Sequence, residues 1–217
     1  MFDSFLLPLV ADTNISLLTY FFLCLASLFG SLLSASVGIG GGSLVLGMMA
    51  LFLPPINLIP IHGAIQLGSN LSRTVLFIKH ISTKFTLMFL IGSFIGTIIG
   101  GKTFVSLPTP TLQILIALFI LYSSWGPKIK TQTPKNILFI CIGGVSSFIT
   151  MFVGATGPLV APFVAASCET RQEVVSTHAT LMSIQHGLKL LVFGFLGFSI
   201  GPFIPLLIGM LAFGLAG

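Results

Sequence analysis

Apolar stretches run almost unbroken through the chain, at about 15–36, 43–53, 60–78, 85–101, 111–125, 136–153, 158–168, 174–200 and 202–216, parted only by short polar or Gly/Pro-rich joints. No water-facing surface can be built from such a sequence. Charged residues make up 6% of it and mean hydropathy is +1.12, whereas a soluble domain carries about a quarter charged residues. A helix that crosses the hydrocarbon core needs roughly 20 mainly apolar residues, and these stretches leave room for nothing else. The expected fold is an all-α polytopic membrane protein occupying residues 1–217 as a single transmembrane domain, with no soluble catalytic module.

Two of the stretches, 43–53 and 158–168, are too short to span: eleven residues at 1.5 Å each rise about 16 Å, roughly half the hydrocarbon thickness. Each follows a Gly-rich break, VGIGGG at 37–42 and VGATGP at 153–158. Broken backbone at membrane depth survives only where protein or a polar cavity surrounds it. The breaks are therefore the first candidates for a site.

The two breaks also belong to an internal repeat. Gly38 and Gly154, Gly41 and Gly157, His62 and His178, Asn70 and His186, and Arg73 and Lys189 all stand 116 positions apart. Repeat one covers about 15–126 and repeat two about 135–217. Nothing in the second half answers to 102–125, so the second repeat reads as lacking its last span, as a shortened variant or a fragment would. By the positive-inside rule the two basic clusters, Lys79 with Lys84 and Lys128 with Lys130 and Lys135, face the cytoplasm. The N-terminus, with Asp3 and Asp12 and no basic residue, then lies outside. The halves start on opposite faces, which makes the repeat an inverted one with broken helices at its centre, an arrangement of many secondary transporters.

Polar groups inside the spans point to the sign of the substrate. On an α-helix, His62, Gln66, Ser69, Asn70 and Arg73 share one side, because offsets of 4, 7, 8 and 11 return close to the start. The second half repeats the pattern with His178, Gln185, His186 and Lys189. An unpaired basic group at a helix centre costs about 2.5–3.5 kcal/mol, so the stripe faces the protein interior or water, unless Arg73 and Lys189 snorkel to the interfaces. All four acids, Asp3, Asp12, Glu169 and Glu173, lie outside the spans, and no carboxylate is left to hold a cation there. What remains is Arg73, Lys189, neutral donors and two short helices whose N-termini, with unsatisfied N–H groups and the positive dipole end, suit anions. The candidate substrate-binding set is Gly40, Gly41, Gly42, Ser43, Gln66, Asn70, Arg73, Thr156, Gly157, Gln185 and Lys189. His62, His178 and His186 are the candidates for coupling to protons, since histidine titrates near neutral pH.

These residues resemble the sulfite exporter TauE/SafE family of membrane permeases, whose halves each carry a G-x-G-G-type motif followed by a polar span. VGIGGG at 37–42, with HGAIQLGSNLSR at 62–73 behind it, fits the first motif. VGATGP at 153–158 departs from it at Thr156 and Pro158. The resemblance covers essentially the whole chain and implies a multi-pass cell-membrane transporter of sulfite, sulfonates or related sulfur-containing anions. Its expected partners are the lipid bilayer, the anion and protons. No cofactor, metal site or nucleic acid enters this reading, because the basic residues stand singly and Cys24, Cys141 and Cys168 form no C-x-x-C. A divalent-metal permease and a non-transporting membrane subunit remain as alternatives. An intramembrane enzyme lacks its motifs: there is no G-x-S-x-G, no H-E-x-x-H and no paired aspartates. Gly92, Gly96 and Gly100, at four-residue spacing, are expected to pack helices closely rather than to serve transport.

Overall fold

A computed structural model describes residues 7–10, 13, 15–37, 40–127, 129, 131 and 136–217. Gly38, Asp3, Asp12, Lys128, Lys130 and Lys135, used above to register the repeat and orient the chain, lie outside the described residues. Among the described residues the structure is helical throughout, with no strand: α1 (Leu17–Val37), α2 (Gly41–Ala50), α3 (Pro55–Leu76), α4 (Thr83–Ser106), α5 (Thr109–Trp125), α6 (Leu138–Val153), α7 (Gly157–Ala165), α8 (Arg171–Phe195) and α9 (Ile204–Ala216). The two short apolar stretches form the two short helices α2 and α7, of 10 and 9 residues.

Boundaries differ from the expected ones where turn chemistry intervenes. Helix α3 begins at Pro55, five residues before the expected start, because proline is welcome in a first helical turn where its missing N–H is not needed. Helix α8 begins at Arg171, capped by Thr170, whose side chain accepts from the Glu173 N–H at 3.2 Å. It stops before Gly197, which takes φ +90° in the left-handed region.

The distribution of side chains departs from that of a soluble bundle, although an apolar core is buried as well. Large apolar groups such as Leu18, Phe29, Phe94, Ile114, Val145, Leu191 and Ile208 stand exposed on the outside, far beyond the apolar patch that a water-soluble monomer presents. Buried inside are His62, Asn70, Ser93, Ser147, Thr156, Gln185, His186 and Lys189. Helices α1 and α4 have both the length and the apolarity to cross a membrane. Helices α3 and α8 have the length, at 22 and 25 residues, but carry the polar stripes. They face each other at the centre: Thr180 donates to Thr74 and Thr74 approaches Ser183, both at 3.5 Å, and a Cβ at Gly63 would meet Lys189 Cε at 2.7 Å.

Helices α4 and α6 pack backbone to backbone. A Cβ placed on Gly92 would strike the carbonyl oxygen of Ile140, one on Gly96 that of Gly144, and one on Gly143 that of Phe89. Where lipid tails are as apolar as leucine, such close approach supplies the van der Waals contact that holds helices together.

Candidate functional site

Both chain breaks are built on glycine for a stereochemical reason. Gly40, the N-cap of α2, has φ +109°, and Gly154, the C-cap of α6, has φ +83°; an L side chain is strained at either. The first hydrogen bond within α2 runs from Leu44 N to Gly40 O, at 3.0 Å, and no side chain caps the helix. Its leading N–H groups therefore have no acceptor in the helix itself. In α7, Thr156 O accepts from Leu159 and Val160, at 3.0 and 3.3 Å, and Pro158 has no N–H to offer.

A histidine from each long helix holds the first turn of the short helix before it. His62 Nε2 donates to Gly42 O at 2.9 Å, and His178 Nε2 donates to Gly157 O at 3.2 Å. A carbonyl can only accept, so the proton sits on Nε2 in both rings. The two halves thus use one device, although the paired carbonyls are one position apart in register.

Between the N-termini of α2 and α7 lies a cavity of about 60 Å³. Gly40, Gly42 and Ser43 line it from α2, Gln66, Asn70 and Arg73 from α3, and Gly157, His178 and His186 from α7 and α8. Two polar atoms here are buried without a hydrogen-bond partner, Ser43 Oγ and His186 Nδ1. Buried polar groups are rarely left so, and both belong to the wall of the cavity. Arg73 contributes the positive charge and touches Ser69 Oγ at 3.3 Å. No carboxylate borders the cavity, and among the described residues no three His, Cys, Asp or Glu side chains gather as a metal ion would require.

The remaining expected site residues stand behind this wall. Thr156 Oγ1 donates to Gln185 Oε1 at 2.7 Å, while Gln185 Nε2 donates to Ser146 and Ser147 at 3.0 and 3.1 Å. All four are buried, and the network fixes the α6–α7 break to α8. Lys189 is fully buried and donates to Gly154 O at 2.8 Å. It does not snorkel; its ammonium closes the C-terminal end of α6, where the helix dipole favours a cation. His62 stacks edge-on toward His186, ring centroids 6.3 Å apart. Gly41 sits against Gly30 and Ser34 of α1, where a Cβ would strike Gly30 O.

The cavity also includes Ala155 and Pro158 of the VGATGP break, together with Ser34 and Met182, which sequence reasoning missed. Ser34 had a readable signal: Ser27, Ser31 and Ser34 recur at offsets of 4 and 7 on one face of α1.

Compared with known families, residues 23–217 match the model of the sulfite exporter TauE/SafE family. No curated protein and no solved structure matches the chain.

Proposed function

The chain belongs to the sulfite exporter TauE/SafE family of membrane transporters, and on that premise we propose that it is a multi-pass secondary transporter of a small sulfur-containing anion such as sulfite or a sulfonate. The observation that carries the reading is the acid-free cavity between two helix N-termini, walled by Arg73 and by the unpartnered Ser43 Oγ and His186 Nδ1. Every group there that carries a charge or a free donor favours a negative ligand.

In this reading residues 1–217 form one domain of two inverted repeats, about 15–126 and 135–217, with α2 and α7 as their broken elements and the N-terminus outside. The anion binds to the leading N–H groups of α2 and to Ser43, Gln66, Asn70 and Arg73, facing Gly157 of the other half. Thr156, Gln185 and Lys189 act indirectly, by holding the α6–α7 break in place. His186 and His178, which line the cavity, are the groups through which protons couple to the anion. His62 serves them by fixing α2. A divalent-metal permease has no comparable support, since no acid and no three-ligand cluster attends the cavity.

Flux of sulfite, sulfoacetate, sulfate and chloride into liposomes holding the purified chain, with and without a pH gradient, tests the proposal. Sulfur-anion flux well above that of empty liposomes, responding to the gradient and lost in Arg73→Ala, is expected. Absence of flux for all four anions refutes it.

A further inference from the structure

A second polar cavity, of about 210 Å³, opens between α1, α3 and α9. On the α1 side it is lined by Ser27, Ser31 and Ser34, and on the α3 side by Gln66, Ser69 and Arg73; the α9 wall is apolar. Ser27 donates to Met210 O at 2.7 Å and so ties α1 to α9, leaving Ser31 and Ser34 as the other α1 hydroxyls that border the space. Serines on an otherwise apolar helix can serve close packing alone. Here they face a cavity, and a guanidinium faces it with them.

This vestibule adjoins the central cavity, with Ser34, Gly42, Gln66 and Arg73 bordering both. The inner end of the path is the one with the unpartnered Ser43 hydroxyl, more than nine-tenths buried. A cavity of about 400 Å³ at the far end of α3 and α8, bordered by Asn57, Thr109 and Ser199, shares no lining residue with the centre. The buried Phe104 and Phe193, edge-on at 4.9 Å between ring centroids, form part of its wall.

We propose that the serine-lined vestibule is a flanking subsite for the transported oxyanion, and that Arg73, bordering both cavities, passes the anion between Ser31 and Ser34 and the N-terminus of α2. This rests on the transport reading above. Hydroxyl donors and one shared cation hold an anion firmly enough to concentrate it and loosely enough to release it inward, as conduction requires. The planar guanidinium presents donors along more than one edge, which suits a group that borders two chambers.

The test uses the full chain with Cys24, Cys141 and Cys168 replaced by alanine and Ser72→Cys added, Ser72 being a vestibule residue that donates to Ser69 O. Leu215→Cys, on the α9 wall, serves as a second labelling position should Ser72→Cys not fold. Methanethiosulfonate reagents bearing a sulfonate or a trimethylammonium head are applied, and the rate of labelling and the sulfite flux before and after are measured. The expected result is labelling about tenfold faster by the anionic reagent, loss of that preference in Arg73→Gln, slowing of the labelling by sulfite, and loss of flux once the thiol is blocked. Equal labelling rates, or full flux after complete labelling, overturn the proposal. If the unlabelled protein carries no sulfite, the transport reading fails; the reagent preference and its dependence on Arg73 still decide whether the vestibule attracts anions.

Discussion

Gly96→Ala puts a single methyl group into the backbone contact between α4 and α6. The new Cβ would strike Gly144 O and lie 2.8 and 2.9 Å from Gly144 C and Cα, where carbon pairs rest at about 3.5–4.0 Å. All three atoms are backbone, so no side chain can swing aside, and α4 and α6 must part by roughly 0.6–1.2 Å, the difference between those separations. Overpacking of this kind costs about 1–3 kcal/mol, and the loss spreads to Gly92 and Gly143, whose contacts share the same face. Alanine returns up to about 1 kcal/mol of helix propensity. That return is isolated by Gly187→Ala on α8, where an added Cβ meets nothing within 4 Å. The two variants should therefore differ by about 1–3 kcal/mol, with Gly96→Ala the weaker. At about 2–4 °C per kcal/mol for a chain of this size, their melting midpoints in one detergent, read by size exclusion after heating, should stand about 2–12 °C apart. Equal midpoints would refute the claim that backbone contact at Gly96 holds α4 to α6.

Gly154→Ala combines a left-handed φ of +83° with a Cβ 2.7 Å from Leu46 Cδ1; a loss of about 1–3 kcal/mol in the same melting assay is expected. Gln185→Leu deprives Thr156, Ser146 and Ser147 of their partner, so it should cost about 1–3 kcal/mol. The double variant Thr156→Val/Gln185→Leu should lose less than the sum of its parts, and strict additivity in the double-mutant cycle would show the network to be idle. Arg73→Ala should weaken sulfite binding about 10–100-fold, the worth of a charged hydrogen bond, with Arg73→Lys intermediate; isothermal titration on the detergent-solubilised chain measures both.

Helix positions were legible because lipid demands apolar length, and each apolar stretch became a helix within a few residues. Where bounds moved, proline and capping chemistry moved them: Pro55 reads as a breaker in a sequence but starts α3, and Thr170 with Glu173 extends α8 toward its N-terminus. The site was legible as a set of polar residues at the glycine breaks, nine of which do line the cavity. Which of them face inward was not. Lys189 stands in the register of Arg73 and Gln185 in that of Ser69, which suggests the same task, yet their hydrogen bonds go to Gly154 O and to three hydroxyls. Those partners come together only when α6, α7 and α8 are folded against one another, and no spacing rule on a single helix encodes that.

The glycine contact between α4 and α6 also has a practical use. Two helices in backbone contact at Gly92, Gly96 and Gly143 resist sliding or tilting separately, so they should move as one rod of fixed width. Spin labels at the outward-facing Phe94 and Val145 would give an internal ruler, a distance insensitive to added anion, against which the separation of α1, α3 and α9 can be calibrated in the same sample.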